Sequence, residues 1–500
     1  MSTVTDLPRV IQGGMGVAVS SWRLARAVSQ AGQLGVVSGT ALDTVMARRL
    51  QDGDEGGHVR RALAAFPVAG MAERVLDRYF NPVGREPGRP YRPVPKLTLR
   101  QSREQQELAV VGNFVEVWLA KDGHDGTVGI NYLEKVQMAT PAAALGAVVA
   151  GVDFVLMGAG VPREIPRLLD DLSDGRVAGL GVDVQGAEHP YRVEVDPQAL
   201  LGPAASGLRR PWFLAIVSAS VLAAYLARAD TTRPDGFVVE GPLAGGHNAP
   251  PRDKHARDEV GEPVYGPRDE VDLAKVALLG LPFWLAGSRG APDRLAEAID
   301  AGAAGVQVGT AFALSEDSGL SDPLRRDLHR QVTDGTLEVR TDPLASPTGF
   351  PFKVAQLPGT LSDADVYQER QRMCDLSYLR APYLTADGDI GYRCPAEPAH
   401  MYVRKGGDVA DTVGRRCLCN GLTAGVALGQ TRRDGFSEPA LVTLGSDLTG
   451  VQELAAAYPD GWTAADVVGW LTGSAHRLSA PTLGRTPEAV LTLVPGKDAT

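Results

Sequence analysis

Two consecutive glycines precede a histidine in Ala244-Gly245-Gly246-His247, seven residues beyond an apolar run that ends at Glu240. Paired glycines let backbone approach a flat ligand, and imidazole titrates closest to neutral pH, so the segment suits proton transfer beside a planar group. Three more small-residue loops follow other apolar runs: Gly13-Gly14-Met15-Gly16, Ala286-Gly287-Ser288-Arg289-Gly290 and Gly309-Thr310-Ala311-Phe312. Small residues leading into helices expose N–H groups suited to a phosphate. Asn131, at the end of a further run, offers donors and acceptors to a ring system.

These loops need elements to hold them. Eight short, nearly continuous apolar runs, at 9–12, 34–38, 127–131, 153–157, 212–217, 236–240, 282–286 and 305–309, read as parallel strands buried on both faces. Starts at 9 and 34, 127 and 153, 212 and 236, and 282 and 305 lie 23 to 26 residues apart, the length of one strand–helix unit. Eight units predict an α/β fold, a (β/α)₈ TIM barrel, with the reactive loops at the carboxyl ends of the strands. The barrel is expected over residues 1–330, with insertions at about 43–126, 177–196 and 241–270. The first insertion reads as roughly two helices and a Pro/Arg-rich loop, the second as a β-hairpin. Residues 331–500 are expected to form a mainly helical region packed on the barrel. Phosphate-binding backbone after strands seven and eight, with a glycine-lined apolar floor after strands one and six, describes a site for flavin mononucleotide (FMN).

Composition narrows the function. A net charge of −10 in 500 residues provides no basic field for nucleic acid or anionic membrane. Four cysteines, the first at Cys374, make no disulfide framework and suit a reducing cytoplasm, and the N-terminal residues show no secretory pattern. Apolar residues 142–161 break at Gly151 and read as a helix followed by a strand.

The ordered motifs IQGGMG at 11–16, GIN at 129–131, AGGH at 244–247, QVGTAF at 307–312 and SPTG at 346–349 resemble the nitronate monooxygenase (2-nitropropane dioxygenase)-like FMN flavoproteins, a superfamily that includes enoyl reductases of polyketide and fatty-acid synthases. The resemblance implies His247 as the catalytic residue. With the loops above it gives a cofactor set of Gly13, Gly14, Met15, Asn131, Glu240, Gly245, Gly246, Gly287, Ser288, Gln307, Val308, Gly309 and Thr310, and no metal. It implies an FMN-dependent oxidoreductase that oxidises nitronates or nitroalkanes with dioxygen. The alternatives are an enoyl reductase using NAD(P)H and a flavin-binding barrel without catalysis. A small-molecule substrate is implied, and as assembly a homodimer or a synthase-associated enzyme. Two positions depart from the family pattern: Glu240 stands in place of glutamine, and Leu243 in place of an acidic residue.

Competing motifs are weaker. Ala286 to Gly290 resembles a hydrolase nucleophile elbow but lacks its first glycine. Gly14-Met15-Gly16 starts a dinucleotide fingerprint but has Val19 at the third glycine. Cys374, Cys394, Cys417 and Cys419 match no zinc spacing and read as buried thiols. His58, His189 and His329 read as solvated. Arg415 to Leu422 reads as packing the tail over the mouth of the site.

Overall fold

Among the described residues before position 310, the chain builds ten strands: β1 (Val10–Gln12), β2 (Leu34–Ser38), β3 (Val128–Leu133), β4 (Phe154–Gly158), β5 (Ala178–Val182), β6 (Tyr191–Val195), β7 (Trp212–Val217), β8 (Gly236–Glu240), β9 (Phe283–Ala286) and β10 (Gly305–Val308). In this computed structural model, which describes residues 7–253 and 255–473, eight of them close a parallel barrel in the order β1-β10-β9-β8-β7-β4-β3-β2. These are the eight runs read from the sequence, and the fold is the expected (β/α)₈ barrel. Strands β5 and β6 pair antiparallel as the hairpin of the second insertion.

Ile11, Leu34, Val36, Phe154, Leu156, Leu214, Val238 and Trp284 fill the barrel interior and are fully buried. A second apolar layer joins the outer strand faces to the helices and continues into the C-terminal region. Both strand faces are therefore dry, which is why the runs are continuous rather than alternating.

The helical ring differs from the sequence reading in two places. The stretch 43–126 contains more than two helices. Its last, Arg103–Lys121, is closed by a Ser102/Gln105 capping box and packs against helices Trp22–Gln30 and Thr140–Val149, so it is a ring helix. Its buried face is nearly all round, which obscured the amphipathic signal. The helix Ala464–Thr472, started by a Thr463/Asp466 capping box, packs against both Trp22–Gln30 and Pro292–Asp300. It thus occupies the ring position between the first and seventh units, more than 150 residues after β10.

Beyond helix Asp322–Thr333, residues expected to be mainly helical also form two antiparallel hairpins, β11 (Val339–Asp342) with β12 (Phe352–Ala355) and β13 (Ala381–Leu384) with β14 (Ile390–Arg393). Strands of four residues are too short for a period-2 pattern to stand out. No helix among the described residues is long and apolar enough to cross a membrane.

Candidate functional site

Each site residue expected from the sequence lines one cavity of about 310 Å³ at the carboxyl ends of the strands. His247 follows β8 through Gly246, whose φ of +82° is a turn glycine conformation. The Gly246 amide donates to Thr443 Oγ1 at 2.8 Å, and its carbonyl accepts from the Lys353 amide at 2.9 Å. The imidazole lies edge-on to Phe352 with centroids 4.8 Å apart, and its Nε2 is 2.7 Å from Ser346 Oγ. Burial, reinforced by the positive charge of Lys135, pushes the His247 pKa down to about 4. The ring is neutral at pH 7.

Gly245 permits a close crossing. A Cβ there would lie 2.9 Å from the Leu444 carbonyl carbon and 3.0 Å from the Gly445 nitrogen. The segment 443–447 therefore runs directly across the double-glycine loop, and the Gly445 amide donates to Thr310 Oγ1 at 3.0 Å.

Against the Ala244 end of that loop, where a Cβ on Gly287 would lie 3.1 Å from the Ala244 nitrogen, Gly287 and Ser288 both take left-handed backbone, with φ of +89° and +56°. The Ser288 hydroxyl donates to Asp447, so its backbone rather than its side chain faces the cavity unengaged. Among the described residues, the amides of Ser288, Arg289, Gly290, Gly309 and Thr310 donate to no protein acceptor. Arg289 and Arg294 supply positive charge there, and Arg289 Nε is buried without a partner. Burial works to raise the Asp447 pKa, but hydrogen bonds from Ser288 and Thr449 hold it below the ordinary value, so one carboxylate shares this end.

On another wall of the cavity, Gly14 packs on Asn131, where a Cβ would lie 2.3 Å from the Asn131 Cβ. Gln307 packs its amide against Gly13, with Nε2 3.5 Å from where a Gly13 Cβ would lie, and its Oε1 is buried and unpartnered. Met15, Gly309 and Val308 complete that wall. Glu240 ends β8 in the same cavity, and burial pushes its pKa up to about 8. A carboxylic acid at pH 7 can donate a hydrogen bond, as a glutamine amide would. Glu240→Gln is therefore expected to leave the site's polar pattern intact. The acid's contribution to stability is complete below pH 4.5 and disappears as pH rises through about 8, where ionisation must overcome burial. Chemical denaturation at pH 6 and pH 9 should show the variant gaining a further ~2–3 kcal/mol on the parent between the two, since each pH unit up to about 8 is worth ~1.4 kcal/mol.

Several lining groups escaped the sequence reading. Ser346 lies 99 positions from His247, and no local spacing relates them. Tyr378 and Leu379 join Leu418, Cys419 and Leu422, which come from the segment expected at the mouth of the site, in an apolar wall, and Thr443, Leu444, Gly445 and Asp447 form a strap. The four cysteines are free thiols. Burial raises the pKa of each, to about 12 for Cys417, which marks them as unreactive. His58 and His329 are not simply solvated: each packs against a tryptophan, Trp22 and Trp462, at 4.9 and 4.7 Å.

A parallel eight-stranded barrel with its neutral histidine and unpartnered loop amides at one mouth defines a ligand-binding barrel of the enzyme type. The family described as nitronate monooxygenase matches residues 209–342, a segment that carries Glu240, His247 and the loops after β9 and β10. That segment holds the AGGH and QVGTAF motifs on which the resemblance rests. No curated protein matches the chain. Among solved structures it is similar to FabK from Thermotoga maritima, at 14% identity over 94% of this chain and 93% of that one, with a TM-score of 0.46. Nitroalkane oxidase from Streptomyces ansochromogenes matches at 16% identity, 94% and 97% coverage and a TM-score of 0.43. The enoyl reductase domain of MlnA from the macrolactin biosynthesis cluster of Bacillus amyloliquefaciens matches at 10% identity, 94% and 94% coverage and a TM-score of 0.44.

Proposed function

We propose that this protein is an FMN-dependent oxidoreductase that oxidises nitronates and nitroalkanes with dioxygen. The observation that carries the reading is a neutral, buried imidazole facing the same cavity as a set of unpartnered amides and Arg289. The residues fit the cofactor. The amides of Ser288, Gly290, Gly309 and Thr310 with Arg289 would hold the phosphate. Asn131, Gln307 and protonated Glu240 would meet the polar edge of the ring, and Gly13, Gly14, Met15, Gly245 and Gly246 would leave room for its face. When bound, FMN supplies the electron acceptor that dioxygen restores.

The chain's own residues handle the proton and the water. His247 takes the α-proton of a neutral nitroalkane, and the C–H electron pair passes to the nitro group, forming the nitronate. Leu418, Leu422 and Phe352 keep that exchange dry. The free cysteines suit a cytoplasmic setting.

The purified protein is expected to be yellow and to release one FMN per chain on acid treatment, identified by mass. A folded, colourless protein that takes up no added FMN overturns the cofactor assignment. Nitronate should bleach the anaerobic flavin spectrum and air restore it. Bleaching by NADH or NADPH but not by nitronate would instead assign the enoyl-reductase activity.

A further inference from the structure

Ser346 comes from the turn between β11 and β12, far from His247 in the chain, yet it is fully buried against the imidazole. Its Oγ lies 2.7 Å from His247 Nε2 and 2.8 Å from Thr348 Oγ1, and it accepts from the Thr348 amide at 3.2 Å. Arg415 donates to the Ser346 carbonyl at 2.6 Å and holds the turn in place. With Nε2 taken, Nδ1 has no partner among the described residues and is the nitrogen open to a ligand in the cavity.

We infer that Ser346 and Thr348 are positioning residues that let His247 present either a bare or a protonated Nδ1 to the cavity, by reversing two hydroxyl hydrogen bonds. A serine oxygen has one proton to donate and two lone pairs. In one arrangement Nε2–H donates to Ser346, which donates to Thr348, and Nδ1 carries a free lone pair. In the other, Thr348 donates to Ser346, which donates to Nε2, and Nδ1 carries the proton. Both arrangements fill every site on Ser346 Oγ, because the Thr348 amide always occupies one lone pair. Neither leaves a buried polar atom unpaired, so the two tautomers lie close in energy. Proton abstraction at Nδ1 breaks the substrate C–H bond, sends its electrons to the nitro group and yields an imidazolium that the first arrangement already accommodates.

The charged group acting on the ring is Lys135, just after β3; the protonated Glu240 lines the same cavity, and Arg415 reaches the ring only through Ser346. Neither Lys135 nor Glu240 touches the hydroxyl pair. The effect of Thr348 is therefore separable from theirs.

The proposal's catalytic consequence rests on His247 acting as the base, whereas the tautomer measurement does not. Thr348→Val keeps the shape and the amide but removes the acceptor, so Ser346 can only donate to Nε2 and Nδ1 is locked as N–H. Histidine ¹⁵N spectra of the flavin-loaded protein, with the His247 signals identified by their loss in His247→Asn, should shift toward the Nδ1–H form in Thr348→Val. They should stay as in the parent in Thr348→Ser. Use of a neutral nitroalkane should fall about tenfold in the valine variant, the size one hydrogen bond controls, with use of a prepared nitronate changed less than about twofold. Parent-like ¹⁵N shifts in Thr348→Val overturn the proposal. Altered shifts without any nitronate chemistry would keep the positioning role and reject the substrate. Ser346→Ala supplies a second variant: the tautomer must change there, and adding Thr348→Val to it must change nothing further.

Discussion

His247→Asn is expected to slow turnover of a neutral nitroalkane by about a hundred- to ten-thousand-fold, the usual value of one general base. The flavin should stay bound, because the amides after β9 and β10 that would hold its phosphate make no hydrogen bond to the imidazole. A pre-ionised nitronate needs no proton removed, so its oxidation should suffer less. Stopped-flow reduction with each substrate form separates the two. Equal losses would mean that His247 orients rather than abstracts, and no loss would dismiss it from the chemistry. The pH dependence carries a further sign. Because burial and Lys135 hold the imidazole pKa down to about 4, the bare nitrogen persists well below pH 6.5. Nitroalkane use should therefore fall only as pH approaches 4. The stability tied to keeping this ring neutral is complete above pH 6.5 and is lost as pH falls through about 4.

Trp284→Ala is expected to cost about 3–5 kcal/mol of stability, the range for truncating a buried aromatic. The Trp284 side chain is fully buried in the barrel interior, and its Nε1–H donates to the Pro8 carbonyl at 2.7 Å. Alanine leaves a void among Ile11, Phe154, Leu214 and Val238 together with an unmet carbonyl. Phenylalanine refills most of the void, so Trp284→Phe should cost only about 1–2 kcal/mol, chiefly the lost hydrogen bond. Urea denaturation measures both. The residue lies near the amino ends of the strands and lines no part of the cavity, so flavin-loaded variants should turn over at the parent rate. Equal small costs for the two variants would contradict a close-packed interior.

Much of the barrel was legible because its signals are local. A strand buried on both faces must be an unbroken apolar run, and a strand–helix unit has a nearly constant length. Residues such as Gly246 and Gly287 mark turns because a positive φ is strained for other side chains. The eight strands, and the loops and histidine that line one cavity, followed from such constraints. The ring helix Arg103–Lys121 was hidden because burial on nearly every side erases periodicity.

What the tertiary structure alone decided depends on neighbours remote in the chain. Helix Ala464–Thr472 occupies its ring place because two amphipathic helices leave an apolar gap there, which no spacing records. The strap 443–447 reaches Gly245 because both lack a side chain at the crossing. Glu240 reads in sequence as a charge and in the fold as an acid, since ionisation is set by the water that burial removes. His247 could be found from the glycines before it. Its neutral charge was decided by burial and Lys135, and the partner of Nε2 by Ser346, because a proton follows whatever packs against the ring.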